Sequence, residues 1–144
     1  MLSKHLLFEA KAYLCWDAFP QLSVQLIPID RSVAYYYPPT PQHHNIVIFY
    51  NPKEADFAEA LFLLFHESGH VRQWKRYQQR GEIQYFYECL NRSNGQQKQI
   101  FEQEAWRYAE ELLHRFCREK ALDEFYIVQR FQDYRARCVQ SYAE

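Results

Sequence analysis

Residues 45 to 81 constrain the fold of this chain more than any other stretch. "NIVIFY", 45 to 50, is β-branched and aromatic throughout and reads as a strand. The signals of a helix start follow at once. Asn51 can serve as N-cap, Pro52 takes the first helical position, and Glu54 stands third, as in a capping box. This predicts a helix from about Pro52 to Arg80, closed by Gly81 as a left-handed cap. From Phe57 to Phe65 that helix is apolar on nearly every side, so it is expected to be a buried element.

The flanks complete an α+β pattern. Residues 3 to 16 form an amphipathic helix with Leu6, Leu7, Ala10, Tyr13 and Leu14 on one face, stopped by Pro20. "LSVQLIPI", 22 to 29, alternates Leu22, Val24 and Leu26 with Ser23 and Gln25, as a half-buried strand does. "VAYYY", 33 to 37, is a second strand ended by a turn at Pro38-Pro39-Thr40-Pro41. Residues 82 to 96 are mixed: "IQYFYECL" suits a strand or a short helix, and "NRSNG" is a turn. Helices over 97–118 and 123–139 follow, separated near Ala121-Leu122-Asp123. The expected fold is a small, mostly antiparallel sheet packed on the long helix, with further C-terminal helices, in one domain spanning 1–144.

Composition narrows the class. A chain of 144 residues can bury a core without staples, and 48% hydrophobic with 24% charged residues is ordinary for a soluble protein. Cys15, Cys89, Cys117 and Cys138 lie far apart, which favours reduced thiols in a cytoplasmic protein and leaves two disulfides open. The charged N-terminus has no signal-peptide core, and the longest apolar run, "ALFLLF", is far too short to span a bilayer, so no membrane partner is expected. A net charge of −1 gives no general reason to expect nucleic acid.

The chemistry is concentrated in "HESGH", 66 to 70. Residues four apart on a helix share a face roughly 5–6 Å apart, so His66 and His70 can offer two imidazoles to one metal ion. Glu67 is turned about 100° from His66, poorly placed as a third ligand but able to take a proton from a water that zinc has acidified. This is the working arrangement of a metalloprotease His-Glu-x-x-His helix. The bland alternative is a buried helix that happens to carry two histidines. Gly69 costs helix stability, roughly 1 kcal/mol against alanine, which implies a close approach to the backbone there.

A hydrolytic zinc site needs a third protein ligand and an open position. No third histidine follows closely. In the helix over 98–116 the apolar stripe is Phe101, Ala105, Tyr108, Ala109, Leu112 and Phe116, and Glu102 falls within its arc. Glu104 lies to the side, while Glu110 and Glu111 face away. A carboxylate on a core face needs a metal or a partner, so Glu102 is the better third ligand and Glu104 the reserve. His114 is about three turns further on, roughly 18 Å, and is not expected to be a ligand.

"HESGH" followed by "EQEAWRYAEELL" resembles the ImmA/IrrE-type metallopeptidases of the gluzincin group. Their downstream helix has the form Glu-x-Glu-Ala-x-x-aromatic-Ala-x-x-Leu-Leu, matched here by Glu102, Glu104, Ala105, Tyr108, Ala109, Leu112 and Leu113. The resemblance covers roughly residues 20 to 118. It implies a zincin-like fold, one zinc held by His66, His70 and Glu102, Glu67 as general base, and an endopeptidase acting on a protein or peptide. The chain departs from the pattern at Trp106, where asparagine is usual, and no proline follows Leu113.

A peptidase also holds its substrate, and an exposed sheet edge from "VAYYYPP" or "NIVIFY" can do so. For the oxyanion, Tyr35, Tyr36, Tyr37, His43 and His44 are close in sequence, although for each one plain packing or a place in a solvated loop is the favoured role. The basic stretch 71–80, with Arg72, Lys75, Arg76 and Arg80, reads better as a solvated helix end than as a nucleic-acid surface. The rival to the enzyme is a catalytically silent or latent peptidase fold that serves as a binding or regulatory module.

Overall fold

The computed structural model describes residues 1–38 and 43–142. Pro39, Thr40 and Pro41 of the expected turn lie outside the described residues. The chain divides into two compact units, Met1–Ser68 and Gly69–Glu144, with the division inside one long helix.

In the first unit, α1 (Lys4–Ala12) starts where the Ser3 hydroxyl accepts from the Leu6 N–H at 3.1 Å. It continues as a π-helical turn over Tyr13–Ala18 that ends just before Pro20. All five expected core residues, Leu6 to Leu14 in the stripe named above, are buried. Three strands follow: β1 (Leu22–Pro28), β2 (Val33–Tyr37) and β3 (His44–Tyr50).

The sheet order is β1-β3-β2. β2 pairs antiparallel with β3, with Tyr36 opposite Ile46, and β1 pairs parallel with β3, with Leu22 opposite His44. The sheet is therefore mixed rather than mostly antiparallel. The β2–β3 hairpin takes one edge of β3, and β1 joins the other edge in the same direction, a choice that no local sequence signal encodes. β3 occupies the centre because it can bury alternate residues along its length. His44, Ile46, Ile48 and Tyr50 all point inward.

The long helix begins later than its signals suggest. The Asn51 side chain accepts from the Lys53 N–H at 3.0 Å and the Asn51 carbonyl accepts from Glu54 at 3.2 Å, which makes 51–54 a turn. Asn, Pro and Glu suit either structure, and here the turn prevails. Asp56 instead caps α2 (Ala58–Gln79), accepting from the Ala58 N–H at 3.2 Å and from the Leu2 N–H at 3.0 Å.

The second unit opens with the rest of α2. Its end is the expected left-handed one: Gly81 has φ +72°, Gly81 N–H donates to Gln78 O and Glu82 N–H to Tyr77 O. The mixed stretch resolves as a helix, α3 (Ile83–Asn91). α4 (Gln96–Glu119) and α5 (Glu124–Ser141) close the unit, with Asp123 capping α5. Trp106 fills the space between these two helices, its ring 5.5 Å from Phe131 and 6.0 Å from Tyr134. The departure at Trp106 thus has a packing role. The cysteines form no disulfide among the described residues, and burial pushes the Cys117 thiol up to about 11. No described helix is long and apolar enough to cross a membrane.

Candidate metal centre

The site is set by how closely α4 passes the second half of α2. A Cβ built on Gly69 would lie 2.1 Å from the Ala105 carbonyl oxygen and 3.2 Å from the Ala109 nitrogen. Only glycine permits that contact. The close approach expected at Gly69 is therefore real, and its partner is the backbone of α4. Glu102 sits one turn before Ala105 and is thereby delivered to His70, the neighbour of Gly69.

His66 and His70 occupy successive turns of α2, and with Glu102 they form a group whose donor atoms all lie within 4.8 Å of one another. All three are buried, at 4%, 3% and 5% exposure. Glu102 Oε2 is 3.1 Å from His70 Nε2. Glu67, next along α2, is half-buried.

A second layer, not foreseen from the sequence, orients these groups. Gln73 is fully buried. Its Nε2 donates to Phe101 O and to Glu104 Oε1, both at 2.9 Å, which turns its Oε1 toward His70 Nδ1 at 2.8 Å. That contact makes Nδ1 the N–H donor and leaves the Nε2 lone pair facing the Glu102 carboxylate. The His70 ring also stacks on Phe101, 5.4 Å between centroids. Lys98, buried on α4, donates to Glu102 Oε1 at 3.0 Å. Two signals could have found these residues: Gln73 lies one turn from His70, and Lys98 stands at i−4 from Glu102.

This arrangement separates the two carboxylates left open by the sequence. Glu102 faces the histidines, whereas Glu104 acts through Gln73. It also tests the fit of a metal. A lone pair and a carboxylate oxygen 3.1 Å apart repel unless a cation, a proton or a metal ion, lies between them. Two imidazoles and one carboxylate are the donor set that suits zinc with one position open.

The other candidates lie elsewhere. Tyr36 Oη and His44 Nδ1 are 2.8 Å apart and buried, so they engage each other across the hairpin, while Tyr35, Tyr37 and His43 are exposed. β3 is the central strand, so of the two expected edges only that of β2 remains. His114 is hydrogen-bonded to Glu124 at 2.5 Å. In the basic stretch, Arg72 pairs with Glu111 at 2.9 Å, and Arg72 and Arg76 both lie over the Tyr108 ring. Arg80 covers Tyr77. A comparison with family models, curated proteins and solved structures finds no match for this chain.

Proposed function

We propose that this protein is a zinc-dependent endopeptidase of the ImmA/IrrE type with a zincin-like fold, acting on a protein or peptide. His66, His70 and Glu102 would hold one zinc ion, and Glu67 is its general base. The observation that carries this reading is the buried His70 Nε2–Glu102 Oε2 contact at 3.1 Å, with the His66 donor within 4.8 Å. Such a group asks for a cation and can supply three ligands to it.

Zinc, when bound there, supplies a Lewis acid that polarises a peptide carbonyl and makes water acidic enough to attack it. The chain's residues do the rest. Gln73 holds His70 by Nδ1 and so keeps Nε2 for the metal. Glu67, beside His66 on the same helix and half-buried, accepts the proton of the attacking water on its carboxylate and passes it to the leaving amine. The edge of β2, with Tyr35 and Tyr37 exposed, can receive an extended peptide as an added strand.

Glu67→Gln tests the division of roles. It is expected to keep zinc at the wild-type level and to lower peptide cleavage at least about 100-fold. Cleavage retained in that variant removes Glu67 as the base. Zinc bound by a wild type that cleaves no peptide library would instead favour the binding or regulatory module.

A further inference from the structure

Lys98 is oddly placed for a lysine. It stands in the first turn of α4, where the helix dipole disfavours positive charge, and it is buried. All three ammonium hydrogens are nevertheless accounted for. Nζ is 3.3 Å from Cys89 O and 3.0 Å from Leu90 O, carbonyls of the last turn of α3, and 3.0 Å from Glu102 Oε1. Those carbonyls are the negative end of a helix, and the Glu102 carboxyl accepts from the ammonium at 3.0 Å, so the ammonium is both anchored and compensated.

We propose that Lys98 is the resident counter-cation of the metal centre. It balances the buried Glu102 when no metal is bound and keeps the metal-free chain folded. By occupying Oε1 it leaves Oε2, the oxygen beside His70, for the metal. Because three acceptors hold the ammonium, it stays in place when a dication arrives. Its charge then opposes binding, so zinc is held more weakly and exchanges more readily than the two histidines and one glutamate would otherwise allow. This inference rests on the metal reading above and adds to it a residue that sets affinity.

The test uses zinc and the whole chain. Metal-free protein is prepared with a chelator, zinc affinity is measured by competition with a chromogenic chelator, and thermal unfolding is followed in excess EDTA. The variants are Lys98→Met, Lys98→Arg, and Lys98→Gln, which keeps a donor toward the α3 carbonyls without the charge. Lys98→Met and Lys98→Gln are expected to bind zinc about tenfold or more tighter than wild type, since the competing charge is gone. Their metal-free Tm is expected to fall by about 5 °C or more. Lys98→Arg should stay near wild type in both measurements.

A lysine with only a structural role would weaken zinc binding when replaced, never strengthen it. Wild-type or weaker affinity in Lys98→Gln overturns it, and so does an unchanged metal-free Tm. Wild-type protein that takes up no zinc ends the metal reading and this inference together. Wild type that binds zinc while both uncharged variants match it ends this inference alone.

Discussion

Two of the histidine–glutamate contacts made by helix α4 differ in nearly everything but residue type. Glu102 meets His70 at 3.1 Å with side-chain exposures of 6% and 3%. His114 meets Glu124 at 2.5 Å with exposures of 34% and 30%. At the second contact water screens the charges, and Arg118 on Glu124 and Arg135 on Glu110 add surface ion pairs. At the first there is little water to share the charge. Gln73, Lys98 and the ring of Phe101 fix each atom. A histidine beside a glutamate is thus a surface tie in one setting and a candidate metal site in the other, and burial with a closed second layer makes the difference.

Three substitutions probe that difference, in decreasing order of effect. Gly69→Ala forces a methyl group to within 2.1 Å of the Ala105 carbonyl oxygen, so α2 and α4 must separate. Overpacking of this kind costs about 3 kcal/mol, and alanine recovers about 1 kcal/mol in helix propensity. The expected net loss is about 2 kcal/mol in a denaturant titration, together with weakened zinc binding.

Gln73→Leu keeps volume but lets the His70 ring turn. Zinc affinity is expected to fall about 10- to 100-fold, read by chelator competition, with little change in far-UV circular dichroism. An unchanged affinity would mean that Phe101 alone orients His70.

Glu124→Gln should have the smallest effect. Hydrogen bonds from His114 and Arg118 hold the Glu124 carboxyl below the usual glutamate range. A lowered carboxylate contributes stability above its unfolded pKa and loses it as pH falls through the folded value. Wild type should therefore lose this tie below about pH 4.5, whereas the variant lacks that part of the dependence. Zinc content should not change. A loss of zinc in Glu124→Gln would show that the two contacts on α4 are coupled.

The parts of this molecule that were legible in the sequence are those governed by local chemistry. The Gly81 cap, the three strands and the stripe from Phe101 to Phe116 follow from residues close in sequence. The histidine pair and Glu102 were legible through helical phase, and Gly69 through its misfit in a helix. What was hidden depends on tertiary partners. Asn51-Pro52 could start a helix or a turn, and only the use of Asp56 by both Leu2 and Ala58 decides it. The parallel pairing of β1 with β3 has no local signature. Gln73 and Lys98 look like ordinary polar residues until α2, α3 and α4 are brought together.

The most direct test of the central claim is zinc per chain by elemental analysis, in wild type beside Glu102→Ala and Glu104→Ala. The account expects one zinc per chain in wild type, none in Glu102→Ala, and retained but weaker binding in Glu104→Ala, where only the support of Gln73 is lost. Wild-type protein that holds no zinc, as purified or after zinc is added back, would contradict it and leave "HESGH" as a buried helix with two histidines.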